Sequence, residues 1–310
     1  MSLRGSAVGT IPPQTGKLAV VTGATGGLGY EIALALAQGC ADVIIAARNE
    51  GRGRAAAGRV RSLAPRALVR FEKLDLADLS SIRAFAHRLS LSGRPLDLLI
   101  NNAGVMAPPS RQLTADGFEL QFGTNYLGHF ALTGLLLPQL RLARNPRVVQ
   151  VSSRFHRCGA IRFDDLNAER AYKPWAAYCQ SKLASLLFAQ QLQLRSDQCG
   201  WRLLSNASHP GFARTNLFAN GCGTRSLASL VRNVLGIALS QSAADGAHSA
   251  LYAAASAEVD PGGFYGPGGL LEFAGPPAAA HVSKNGRDME VAARLWSLSE
   301  KLTGVHWPRN

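Results

Sequence analysis

Lysine is scarce in this chain, acidic residues are few and long hydrophobic runs are missing. Each shortage removes a class of explanations. Of 310 residues, 33 are Lys or Arg and 20 are Asp or Glu, a formal net charge of +13, yet only six of the basic residues are lysine. The 27 arginines are scattered (Arg52, Arg54, Arg59, Arg61, Arg66, Arg70 and onward), and no basic run interleaves with aromatic residues as it does in nucleic-acid binders. The charge therefore reads as a solvated surface, with no nucleic-acid partner. No run approaches the roughly 18 apolar residues of a membrane span. Residues 1–16 are polar and Pro-containing, without the apolar stretch of a secretory signal. By elimination the chain reads as soluble and cytoplasmic, its first 16 residues a flexible tail. The five cysteines (Cys40, Cys158, Cys179, Cys199 and Cys222) are odd in number, form no C-x-x-C pair and suggest neither a zinc site nor a disulfide framework.

What is present is an alternation of short apolar segments with longer amphipathic ones, the pattern of repeated βαβ units around a buried parallel sheet. Strands are expected at 17–22, 42–47, 69–74, 96–100, 147–152 and 202–207, with a short one at 263–265. Helices are expected at 28–38, after the second strand, around 120–142, at 175–195 and near 243–257. With no internal repeat and no Pro/Gly linker, residues 17–310 read as one doubly wound α/β domain, a sheet of about seven parallel strands between two layers of helices.

The first strand runs directly into Thr22-Gly23-Ala24-Thr25-Gly26-Gly27-Leu28-Gly29, which opens the first helix. Glycines let the backbone turn sharply and approach a pyrophosphate, while the helix N-terminal amides supply partial positive charge. One strand later, an acidic residue would bind the 2′-hydroxyl of NAD. The sequence has Arg48-Asn49 there instead, and Arg48 suits the 2′-phosphate of NADP.

Tyr178 and Lys182 lie four residues apart in a helical pattern and so share one face. A tyrosine with an ordinary pKa of about 10 exchanges protons poorly at neutral pH, and a nearby ammonium favours its phenolate. This spacing is common by chance and gains weight from its partners. Ser152-Ser153 ends the fifth strand, at the edge where such sheets bind ligands. Asn101-Asn102-Ala103-Gly104 follows the fourth strand, Asn125 lies in TNYLGHF, and His209-Pro210-Gly211 follows the sixth strand with Thr215 beyond it.

Taken in order, TGATGGLG, NNAG, TNYLGHF, VVQVSS, YCQSK and HPGFART resemble the short-chain dehydrogenase/reductase family over nearly the whole chain from Lys17. AARN, FGTNYLGHF and AAYCQSKLA are similar to its retinol-dehydrogenase-like or protochlorophyllide-reductase-like branch. The resemblance implies an NADP(H)-dependent oxidoreductase acting on alcohol or carbonyl groups. Tyr178 would be the general acid in reduction and the general base in oxidation. Lys182 would lower its pKa and bind the nicotinamide ribose, Ser153 would polarise the substrate carbonyl, and Asn125 would hold a water linking Lys182 to solvent. Gly23, Thr25, Gly27, Leu28 and Gly29 would line the pyrophosphate, with Arg48 and Asn49 at the 2′-phosphate. Asp75 and Leu76 would meet the adenine edge, with Asn102, Ala103 and Gly104 nearby. Pro210, Gly211 and Thr215 would contact the nicotinamide end. The resemblance also implies homodimers or homotetramers, although this longer branch includes monomers.

Ser153 and Tyr178 are 25 residues apart, about a dozen more than in the shortest family members, and the extra segment is expected to loop over the site and return. Phe155, Trp175, Phe212, Leu217 and Phe218 are candidates for an apolar substrate pocket, with a lid over 212–241. His129, His156 and His209 do not have metal-ligand spacing and read as packing or backbone hydrogen bonding. Asp164-Asp165 reads as a carboxylate pair facing water. NADPH-dependent reduction of a ketone or aldehyde is the expected activity. Rival readings are oxidation of an alcohol by the same residues, a non-catalytic cofactor sensor and a nucleic-acid binder.

Overall fold

In β1 (Leu18–Thr22) and β2 (Asp42–Ala47), neighbouring side chains enter different cores. Leu18, Val20, Ile44 and Ala46 join one hydrophobic cluster, while Ala19, Val21, Val43 and Ile45 join the other. Burial on both faces explains why these strands are apolar without interruption. The computed structural model describes residues 11–211 and 242–308. The remaining strands are β3 (Val69–Lys73), β4 (Leu98–Asn101), β5 (Arg147–Val151), β6 (Leu204–Ser208), β7 (Phe264–Pro267) and β8 (Pro277–Ala279). They form a single sheet in the order β3-β2-β1-β4-β5-β6-β7-β8.

One face of the sheet is covered by α1 (Gly27–Gln38) and α2 (Glu50–Leu63), together with a later helix, α7 (Ala243–Ala255). The other face is covered by α3 (Leu79–Ser90), α5 (Gly128–Leu142), α6 (Pro174–Cys199) and α8 (Met289–Thr303). A single turn, α4 (Leu120–Phe122), and a π-helical turn over Gly123–Leu127 lead into α5. β1 pairs with β2 on one side and β4 on the other, so the winding reverses between β1 and β4. That reversal opens a crevice at the carboxyl edge of a Rossmann-type sheet, where ligands bind.

The sheet has eight strands rather than about seven, and the eighth runs antiparallel to β7. β8 is three residues long and flanked by Pro and Gly, too short to show a period in the sequence. Helix α6 extends beyond the expected 175–195. Pro174 starts it at its first turn, and Gly200, left-handed at φ 63°, ends it. The tail expected over 1–16 is packed chain from Ile11. Gln14 is buried with its backbone N–H on the Gly39 carbonyl, and Ile11 packs against the cluster of α1. Among the described residues no helix is long and apolar enough to cross a membrane.

After α8 the chain returns to bury Trp307 among Trp296, Phe130, Phe188 and Trp201, with ring centroids 4.6, 5.6, 6.1 and 5.9 Å away. This cluster joins α5, α6 and α8 on the face behind the active site. Trp307→Ala is expected to destabilise the protein by about 3–5 kcal/mol, the usual cost of removing a buried tryptophan. Urea unfolding followed by circular dichroism checks this, and an unchanged midpoint would contradict it.

Candidate active site

The turn between β1 and α1 is held down by one hydroxyl. Thr22 Oγ1 accepts the backbone N–H groups of Asn102 (2.9 Å) and Ala103 (3.0 Å), while Asn102 Nδ2 donates to the Thr22 carbonyl at 2.8 Å. The ends of β1 and β4 are thereby fused. Gly23 has φ +68°, and a Cβ there would lie 2.8 Å from the Ala103 Cα, so only glycine permits the approach. A Cβ on Gly29 would collide with the side-chain amide of Asn102. Helix α1 begins after Gly26 with no side-chain cap and no acidic residue in its first turn. Its first amides therefore lack a side-chain acceptor and fit the pyrophosphate of a dinucleotide. Thr25, Gly27 and Leu28 complete this turn.

Arg48 projects from the end of β2 with 72% of its side chain exposed, and its Nε is 4.0 Å from Asp75 Oδ2. An exposed pair at that distance is weak, which leaves the guanidinium available to a phosphate. Asn49 has another employment: its Oδ1 caps α2 by accepting from Arg52 N at 2.9 Å. Leu76 is buried in the core, with its carbonyl against Gly128.

Four elements converge on the reactive residues. Tyr178 and Lys182 stand one turn apart on α6, and both are buried. Ser153, at the end of β5, accepts from Phe155 N at 3.3 Å, and its hydroxyl lowers the pKa of the neighbouring Tyr178 phenol. Lys182 Nζ donates to the Val151 carbonyl at 2.9 Å and sits 5.8 Å from the centre of the Tyr178 ring. Ser152 Oγ ties β5 to α6 through the Lys182 carbonyl at 2.7 Å.

Asn125 occupies the π-helical turn, an irregularity frequent at functional sites. Its side chain accepts from Val105 N and donates to the Val105 carbonyl and to Ser181 Oγ, at 2.8, 2.9 and 2.9 Å. A Cβ on Gly104 would be 3.1 Å from Asn125 Oδ1 and 3.6 Å from Lys182 Nζ, which places this loop beside both. Burial pushes the Tyr178 phenol up to about 12 against the lowering hydrogen bond of Ser153, and it brings Lys182 down to about 8.

His129 joins the two halves of the site. Its Nδ1 lies 2.9 Å from the Asn125 carbonyl, which can only accept, so Nδ1 carries the proton. Nε2 then accepts from Thr22 Oγ1 at 3.0 Å. A proton on Nε2 would face a hydroxyl whose lone pairs already hold Asn102 and Ala103. Burial, the largest cause, and the Lys182 charge lower His129 to about 4, against the raising hydrogen bond to Asn125.

Phe155 and Trp175, 36% and 41% exposed, stand beside Tyr178 with ring centroids 6.1 and 6.0 Å from it. Pro210 and Gly211 lie at the carboxyl end of β6. Thr215, Phe212, Leu217, Phe218 and the expected lid over 212–241 lie outside the described residues. The long segment between Ser153 and Tyr178 packs back onto α6, where Gln180 accepts from Arg162 N and donates to the Leu166 carbonyl. Within it, Asp164 faces water beside Arg170, but Asp165 does not. Asp165 is buried and accepts from Glu169 N at 2.7 Å, a loop-closing role that carboxylate spacing could not reveal. Among the described residues no three His, Cys, Asp or Glu side chains gather as metal ligands, and the described cysteines are free thiols.

The protein-family model for short chain dehydrogenase matches residues 17–222. The chain belongs to the short-chain dehydrogenase family. As a member it is an oxidoreductase of alcohol and carbonyl groups. It is 41% identical to mouse polyprenol dehydrogenase over 299 residues, covering 95% of this chain and 86% of the relative. Human retinol dehydrogenase 13 is likewise 41% identical, with 96% and 87% covered, which agrees with the retinol-dehydrogenase-like branch. Among solved structures, an uncharacterised protein from Mycobacterium paratuberculosis superposes with a TM-score of 0.80 at 42% identity, covering 96% of this chain and 97% of that one. A short chain dehydrogenase from Escherichia coli CFT073, crystallised with NADPH, gives a TM-score of 0.60 at 26% identity, covering 78% and 92%.

Because His129 is neutral when folded and titrates near 6.5 when unfolded, its contribution to stability is complete above pH 6.5 and lost as the pH falls toward about 4. The protein is expected to lose about 2 kcal/mol on this account between pH 7.5 and pH 5. His129→Gln should remove that part of the acid sensitivity. Urea unfolding at the two pH values tests it, and equal losses in both proteins would count against the assignment.

Proposed function

We propose that this short-chain dehydrogenase reduces an apolar ketone or aldehyde with NADPH, Tyr178 supplying the proton. The observation that carries the reading is the buried Tyr178, one helical turn from the buried Lys182 on α6, whose Nζ is bound to the Val151 carbonyl next to Ser152 and Ser153. When bound, the reduced nicotinamide supplies the hydride. Ser153 and Tyr178 together hold the substrate oxygen, and their two hydroxyls stabilise the negative charge that develops there. With its phenol pushed up to about 12, Tyr178 stays protonated at neutral pH and can donate as that charge appears. Lys182 has three N–H donors and commits one to Val151, which leaves two for the ribose and for the water that Asn125 would hold.

NADPH is favoured over NADH by Arg48, which stands where a carboxylate would repel a 2′-phosphate, and by the NADPH seen in the Escherichia coli structure. The names of the retinol and polyprenol relatives favour an isoprenoid alcohol or aldehyde as substrate, and they also support the oxidative direction as a second reading. The exposed rings of Phe155 and Trp175 suit an unsaturated apolar chain lying against them.

Tyr178→Phe is expected to lower turnover of a carbonyl panel by about 10²–10⁴-fold while NADPH still binds. Loss of reduced-nicotinamide absorbance provides the assay, and retained turnover would overturn the role of Tyr178. Arg48→Ala should weaken NADPH binding by about tenfold, near 1.4 kcal/mol, and leave NADH binding unchanged. Equal effects on the two cofactors in fluorescence titrations would remove Arg48 from the phosphate site.

A further inference from the structure

The loop after β7 carries a carboxylate into the wall behind the active site. Leu271 and Glu272 both have left-handed backbone, at φ 51° and 57°, a conformation side chains other than glycine rarely adopt. Leu271 is 63% exposed and its neighbour Leu270 86%, so burial of these leucines does not explain the conformation. The hydrogen bonds of Glu272 do. Its Oε2 accepts from Arg157 Nη2 at 2.6 Å and from His209 Nε2 at 3.0 Å, and its Oε1 accepts from His281 N at 2.9 Å. Burial opposes ionisation, but the hydrogen bonds from His209, His281 and Arg157 prevail and pull the carboxyl down to about 2.

The consequence for His209 is specific. This ring is fully buried, and its Nδ1 accepts the N–H of Gly211 at 3.1 Å. Nε2 must then hold the proton, which it donates to Glu272. By selecting that tautomer the carboxylate keeps Nδ1 open to Gly211 and so fixes the Pro210–Gly211 turn. The ring cannot drift: Gly266 lies against it so closely that a Cβ would collide with it, and Phe264 packs with its centroid 5.2 Å away. On its other side Phe264 meets His156, centroid 5.1 Å away, and the Nδ1 of His156 donates to the Ser153 carbonyl at 2.8 Å. Arg157, the second partner of Glu272, belongs to the 3-10 turn Arg154–Cys158 that begins directly after Ser153.

We infer that Glu272 is a positioning residue for the reaction, setting the Pro210–Gly211 turn through His209 and the Ser153 turn through Arg157. This rests on the proposed reading that Pro210–Gly211 borders the nicotinamide and that Ser153 holds the substrate oxygen. One carboxylate thereby fixes the distance between the cofactor wall and the substrate-oxygen wall. His209 faces Glu272, which favours its protonation, and Arg154, Arg157 and His156, which disfavour it; burial prevails and keeps the ring neutral. Its tautomer is therefore the quantity Glu272 controls.

Glu272→Gln and Glu272→Ala are compared with the unsubstituted protein by thermal melting, steady-state kinetics, NADPH titration and nitrogen-15 NMR of the histidine rings. Expected are folded variants, a kcat lowered about ten- to hundredfold with a smaller change in KM, and loss of the pure Nε2–H signature of His209. In a double-mutant cycle with His209→Asn the losses should not add. Wild-type kcat with an unchanged His209 tautomer would overturn the inference. So would failure of even the isosteric Gln variant to fold, which would make Glu272 a stability residue. If the wild-type protein turned over no carbonyl or alcohol with NADP(H), the proposed function would fail, while the tautomer and NADPH titrations would still decide whether Glu272 sets this wall.

Discussion

A buried ammonium without a carboxylate is the constraint around which this active site is arranged. Lys182 is 5% exposed, and no Asp or Glu lies within salt-bridge distance of it among the described residues. Such a charge is costly unless dipoles replace its water shell. The Val151 carbonyl supplies one, and Asn125 Oδ1 lies across Gly104 from the ammonium. A Cβ on Gly104 would press on Asn125 Oδ1, at 3.1 Å, while meeting Lys182 Nζ at ordinary contact distance. The depressed Lys182 pKa, about 8, measures how incomplete that solvation is in the protein alone. A carboxylate would stabilise the lysine more, but it would cancel the positive field that Tyr178 requires.

The same low dielectric explains the histidines. His129, His156 and His209 are all buried, and burial lowers all three pKa values. A neutral imidazole offers one donor and one acceptor, and its partners decide which nitrogen does which: backbone groups for His129 and His156, Glu272 together with Gly211 for His209. The carbonyls of Asn125 and Ser153 take the Nδ1 protons of His129 and His156, whereas Gly211 N–H takes the Nδ1 lone pair of His209. Each ring thus bridges two segments with a directional bond at both ends. His129 connects the phosphate-binding turn to the π-turn of Asn125, and the other two hold β5 and β6 at their reactive ends. Lysine or arginine in these places would bring charge into a region that already contains one unpaired cation.

What could be read in the sequence was what repeats or what sits at a fixed offset. Buried parallel strands are continuous apolar runs, so β1, β2, β4 and β5 were legible to within about two residues. Tyr178 and Lys182 were legible because helical spacing fixes their common face. The features that escaped depend on long-range contacts. β8 exists because β7 offers it an edge, and its three residues have no pattern of their own. Asn49 reads as cofactor-binding because it follows Arg48, and its side-chain oxygen has a second role at the start of α2 that its place beside Arg48 does not show. Asp165 looked like half of an exposed pair until its loop folded over it. Glu272 gave no signal at all, since its side-chain partners, His209 and Arg157, lie 63 and 115 residues away.

Under the proposed function, the direction of turnover depends on the charge balance around Tyr178. Reduction needs a protonated phenol beside the substrate oxygen, which burial already favours. Oxidation needs a phenolate, and Lys182 at about 8 is too readily neutralised to hold one alone at alkaline pH. When bound, an oxidised nicotinamide would add positive charge there and favour the basic form of Tyr178. On the proposed mechanism, such a site would couple the protonation of Tyr178 to the redox state of its cofactor. That coupling needs no moving part: a shared low-dielectric space and a single uncompensated lysine are sufficient.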